Sequence, residues 1–133
     1  MQVERRKFLE YLAVASVAPA SVLTGSQGAK DMYGLIAKLT IVPGKREEMI
    51  RILRESAADM PGCLSYITAK ETTDENVIWV TEVWDSVSSH DASLSLPSVK
   101  NSISQARAIV SSFDKIAVTS PAWGVGLEPG HTH

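Results

Sequence analysis

From Tyr33 to Ser120 the apolar residues switch back and forth between a period of two and a period near 3.6, and the order of those switches restricts the fold more than any other feature. Tyr33 to Val42 alternates, with Tyr33, Leu35, Ala37, Leu39 and Ile41 on one face and Ile36, Lys38, Thr40 and Val42 on the other. Pro43-Gly44 stops that strand. Lys45 to Met60 then carries Met49, Ile52, Leu53, Ala57 and Met60 as a helical stripe, with Arg46, Glu47, Arg51 and Glu55 facing out. Pro61-Gly62 ends the helix and opens a second strand, Cys63 to Glu71. A polar turn over Thr73 to Asn76 joins it to a third, Val77 to Trp84, which predicts an antiparallel hairpin. Ser86 is placed to cap a short helix ending at Leu94. A longer helix is expected from Pro97 to Phe113, its stripe made by Val99, Ile103, Ala106, Val110 and Phe113. A fourth strand follows from Lys115 to Ser120 and ends at Pro121.

The order βαββαβ, with its second helix broken in two, predicts an α+β ferredoxin-like fold: a four-stranded antiparallel sheet with helices on one face. The first and third strands are apolar on both faces, Leu35, Leu39 and Ile41 against Ile36 and Val42, and Val77, Trp79 and Val83 against Ile78, Val80 and Trp84. A second apolar face calls for a partner or an enclosed cavity. We therefore expect a homodimer formed by stacking sheets, with a pocket between sheet and helices. The chain has 133 residues, 21% of them charged, which leaves room for one domain. Its net charge of −2 offers no basic footprint for nucleic acid. A lone cysteine, Cys63, cannot form an internal disulfide or a zinc cluster, and is expected to be an inert packed thiol.

Residues 1–29 are of a different kind. A short basic stretch (Arg5, Arg6, Lys7) precedes a charge-free run from Tyr11 to Leu23, and small residues follow, the layout of an export signal. The run is too short for a stable membrane span, which needs about 20 apolar residues. Arg5-Arg6-Lys7-Phe8-Leu9 resembles the twin-arginine signal, although Glu4 and Glu10 depart from its usual flanks. That resemblance implies export to the periplasm or beyond, with cleavage after Ala18-Pro19-Ala20 or Ser26-Gln27-Gly28. The division expected is a signal over 1–29, a domain over 30–121 and a tail over 122–133. Without residues 1–29 the charge becomes −3, from 10 basic and 13 acidic residues.

Val42-Pro43-Gly44-Lys45-Arg46-Glu47-Glu48, Pro61-Gly62-Cys63-Leu64-Ser65-Tyr66, Glu82-Val83-Trp84-Asp85-Ser86 and Leu94-x-x-Pro97 occur in that order. Together they resemble the antibiotic biosynthesis monooxygenase family over about residues 33–120. The resemblance implies a dimeric α/β barrel that acts on quinols or related phenols with dioxygen, without metal or flavin. Relatives also include haem-degrading enzymes and proteins that handle small signalling sugars, so the fold alone does not settle the activity.

Glu82 and Trp84 lie two apart on a strand and share a face. They are the candidate catalytic pair, a carboxyl beside an indole being able to take a proton from a phenol. Tyr33, Tyr66, Trp79, His90 and Ser93 are the candidate substrate-binding residues, and no metal ligands or cofactor are expected. Ser93 stands where the resemblance places a helix histidine, and His90 lies one turn earlier. Haem-degrading relatives carry an asparagine and an iron-binding histidine at the positions of Ala37 and Ile103, and neither residue here can do that work. Val80 stands where some cofactor-free oxygenases carry an asparagine. The expected activity is oxygenation of a small quinol or hydroxylated aromatic. Its rivals are a non-catalytic barrel binding a small apolar ligand, and an enzyme detoxifying a small reactive metabolite.

Overall fold

The computed structural model describes residues 31–127, so the expected export signal lies outside the described residues. The chain forms β1 (Tyr33–Ile41), α1 (Arg46–Ser56), β2 (Cys63–Lys70), β3 (Val77–Trp84), α2 (Val87–Ser93), α3 (Pro97–Ala106) and β4 (Val110–Thr119). The strands make one antiparallel sheet in the order β2-β3-β1-β4, as the expected ferredoxin-like topology requires. Among the described residues no helix is long and apolar enough to cross a membrane.

The faces follow the alternation in sequence. Leu35, Ala37, Leu39 and Ile41 of β1 and Ile78, Val80 and Trp84 of β3 are buried. Most of them pack with Met49 and Ile52 of α1, Ala106 of α3 and Phe113 of β4 in one core. The opposite face carries Ile36, Thr81 and Ile67 in register across β1, β3 and β2, and Ile67 is 56% exposed. The β2–β3 hairpin is fastened to α1 by Arg46, whose Nη1 donates to the carbonyls of Glu71, Asp74 and Val77 at 3.0–3.2 Å. Ser86 does cap α2, its Oγ accepting from the Ser89 N–H at 3.1 Å.

Two boundaries differ from expectation. Helix α1 stops at Ser56 rather than Met60, its last turn loosening where the Ala57 N–H still reaches the Leu53 carbonyl. The larger correction concerns α3, which ends at Ala106, so that Val110 and Phe113 belong to β4 and not to a helical stripe. The ten-residue β4 runs along β1 from Ile41↔Val110 to Gly34↔Thr119. Val110 and Phe113 have opposite parity, yet both are buried. A register shift between Thr40 and Ile41 leaves Ser111 without an opposite residue and turns both side chains to the core. Spacings of four and three therefore arise from a bulged strand as well as from a helix.

Candidate active site

A cavity of about 120 Å³ lies between the sheet and the helices. Its floor is Leu35, Ala37 and Leu39 of β1, Tyr66 of β2, and Val80, Glu82 and Trp84 of β3. The walls are Met49, Ile52 and Ser56 of α1, His90 and Ser93 of α2, and Val99, Ser102 and Ile103 of α3. The lining is mostly hydrocarbon, so its few polar groups determine what it can recognise.

Glu82 is the carboxyl in this lining. Strand alternation points it the same way as Trp84, and the Trp84 Nε1–H donates to Glu82 Oε1 at 2.9 Å. Burial raises the Glu82 carboxyl above the ordinary glutamate value, partly offset by the Trp84 N–H and by His90. The indole thus holds the proton affinity down, while the surrounding hydrocarbon pushes it up. Burial, then the nearby Glu82 charge, also raises the Tyr66 phenol well above its usual range. The same two causes push the half-buried Cys63 thiol up to about 11. Cys63 Sγ donates weakly to the Ser65 carbonyl at 3.6 Å, an unreactive setting for a thiol.

His90 is 3% exposed, with its ring 5.0 Å from Tyr33 and edge-on to Trp84 at 5.5 Å. Its Nδ1 is 3.1 Å from Asp91 Oδ1. Ser93 is buried and its hydroxyl donates to the His90 carbonyl at 2.6 Å, which spends that hydroxyl on the helix.

The structure brings Glu82, Trp84, Tyr66, His90 and Ser93 into one cavity and leaves two expected binding residues outside the lining. Tyr33 stands behind His90, supporting its ring. Trp79 is on the other face of the sheet, because it is an odd step along β3 from Glu82. There its Nε1–H donates to Glu71 Oε1 at 2.8 Å and Lys38 Nζ lies 5.8 Å from its ring centre. Sequence reading missed Ser56, Ser102 and, above all, Asp91. Neighbouring residues on a helix do not normally face each other, so an Asp directly after a His gave no signal. Ala37, Val80, Ser93 and Ile103, the four positions singled out by family resemblance, all line the cavity. Among the described residues no group of three or more His, Cys, Asp or Glu is placed to hold a metal ion.

These elements make a ferredoxin-like α+β domain with an apolar cavity between its sheet and its helices. The chain belongs to the antibiotic biosynthesis monooxygenase family, whose profile matches residues 32–104, more than half of its length. The solved structure of a Chloroflexus aurantiacus J-10-fl protein assigned to the same monooxygenases is 49% identical. It superposes with a TM-score of 0.70 over 73% of this chain and 99% of that one. A Caulobacter crescentus CB15 structure given the same assignment is 20% identical and has a TM-score of 0.63. It covers 75% of this chain and 98% of its own, and shows the shared fold alone. An uncharacterised Synechocystis protein is 28% identical over 80 residues, 58% of this chain. The chain spans about half (54%) of that relative's length. The family and the Chloroflexus neighbour together support a monooxygenase-type function.

Proposed function

We propose that this protein is a cofactor-independent monooxygenase acting on a small quinol or hydroxylated aromatic. The observation that carries the reading is the part-buried Glu82–Trp84 hydrogen bond in an apolar cavity of about 120 Å³. An apolar cavity of about 150 Å³ suffices for a benzene ring, so the scale suits one ring better than several. Trp84 offers its ring edge and face to the substrate, and Glu82 offers a carboxyl oxygen to its hydroxyl. Removal of the hydroxyl proton makes the ring electron-rich, and it then passes an electron to dioxygen, the oxidant of the reaction.

Oxygen uptake by the purified chain with a panel of monocyclic hydroquinones tests this. Uptake above the autoxidation blank is expected, falling about a hundredfold in Glu82→Leu, which removes the hydrogen bond that positions the hydroxyl. Uptake no faster than the blank, alongside tight binding of the same compounds, would select the non-catalytic reading. That second reading is favoured by Ala37, Val80 and Ile103, which present hydrocarbon at positions where relatives carry amide or imidazole groups.

The same proposal includes a homodimer and export. A second copy would cover the sheet face bearing Ile36, Ile67 and Trp79. Sedimentation is expected to give a dimer at micromolar concentration, and a stable monomer there would contradict it. Export rests on the twin-arginine-like residues 1–29.

A further inference from the structure

We propose that His90 and Asp91 form the proton-accepting dyad of the cavity, with His90 Nε2 as the group that takes the substrate hydroxyl proton and Asp91 as its positioning residue. The inference rests on the phenol-binding reading above and assigns the proton transfer within it. His90 lines the cavity, and its ring is held on two sides by Tyr33 and Trp84. A carboxylate is an acceptor only, so Asp91 Oδ1 at 3.1 Å places the ring proton on Nδ1. Nε2 is then the acceptor nitrogen, and it has no hydrogen-bond partner among the described residues.

Asp91 adds a second, independent observation. Its side chain is 11% exposed, and its Oδ2 is buried with no hydrogen-bond partner among the described residues. A carboxylate serving only to knit α2 into the fold would be expected to satisfy both oxygens. Here its one hydrogen bond goes to the imidazole. The groups facing His90 are Asp91 on its own helix, Glu82 and Trp84 from β3, and Tyr33 from β1. Glu82, kept towards its protonated form by burial, is suited to hydrogen-bond the ring hydroxyl. In the transfer the substrate O–H bond breaks, its electron pair stays on the oxygen, and the proton bonds to Nε2. The resulting imidazolium keeps its Nδ1–H on Asp91, whose negative charge lies beside the new positive one.

Two measurements on the full chain test the dyad. Nitrogen-15 spectra of the ligand-free protein are expected to show His90 protonated on Nδ1, with Asp91→Asn moving the proton towards Nε2. A parent His90 carrying its proton on Nε2 would overturn the proposal whether or not any phenol binds. The second uses 4-nitrophenol, whose anion absorbs in the visible, at a pH where the free probe is mostly neutral. Bound to the parent or to Arg51→Ala, an exposed change on α1, it is expected to ionise, and bound to His90→Gln to ionise about tenfold less. Equal ionisation in His90→Gln would overturn the dyad and leave phenol binding standing. Failure of the parent to bind phenols would instead overturn the binding reading, and the tautomer would still judge the dyad.

Discussion

Trp84→Ala is expected to lower stability by about 3–5 kcal/mol, the range for truncating a fully buried tryptophan. Trp84 is 1% exposed, the largest of the fully buried side chains, and sits at the end of β3 between Tyr33 of β1 and Cys63 of β2. Alanine there opens a void and also strips Glu82 of its N–H donor. Trp84→Phe separates the two effects, keeping most of the hydrocarbon while removing the donor, at about 1–3 kcal/mol. The urea midpoint measured at several pH values reads both. Because burial raises Glu82 in the folded protein, the native state holds its proton to higher pH than the unfolded chain does. Stability therefore declines as pH rises from the unfolded value, near 4.5, through the raised folded value. Phenylalanine should extend that decline upwards, since it removes an interaction that lowers the Glu82 value, and Glu82→Gln should abolish it. A loss under about 1 kcal/mol in Trp84→Ala would show that the indole is not a core element. Identical pH slopes in the parent and Glu82→Gln would show that Glu82 is not perturbed.

Gly62→Ala should be nearly as damaging, and a second glycine supplies its control. Gly44 and Gly62 each follow a proline, and both have positive φ, +86° and +88°. A side chain in that conformation costs about 1–2 kcal/mol at either place. A Cβ on Gly44 meets nothing within 4 Å. On Gly62 it would lie 2.5 Å from Ser89 Cβ and Oγ and 2.9 Å from Asp85 Oδ1. Ser89 is in the first turn of α2 and Asp85 just precedes its cap, where the Asp85 N–H donates to the Gly62 carbonyl at 2.9 Å. Crowding of this kind adds about 1–3 kcal/mol. Gly62→Ala should therefore unfold at clearly lower denaturant than Gly44→Ala. It should also shift the ring signals of His90, which follows Ser89 on the displaced helix. Equal losses in the two variants would refute the close packing of α2 on this turn.

The two Pro-Gly pairs show how far a sequence can be read. Both announce a chain reversal, and both reversals are present. Only the fold shows that one is open and the other wedged under the helix that carries His90. The same division applies to β3. Alternation correctly put Glu82 beside Trp84, and the same rule places Trp79 on the far face, where Glu71 and Lys38 are its neighbours. The indole of Trp79 has the chemistry of a ligand contact, but its parity on β3 turns it away from the cavity. Asp91 could not be found that way at all, since its hydrogen bond depends on the rotation of the His90 ring between Tyr33 and Trp84.

Short-range periodicity determined the four strands, the hairpin, the capped helix α2 and which side of β1 and β3 meets the helices. These depend on side chains two to four residues apart, which the chain specifies locally. The start of β4, its bulge at Ser111, the cavity and the joining of His90 to Asp91 were decided by tertiary structure. Each depends on what a segment meets in the fold: β4 forms on the edge of β1 that β3 leaves free, from Gly34 to Ile41, and the bulge is needed to turn both Val110 and Phe113 inward.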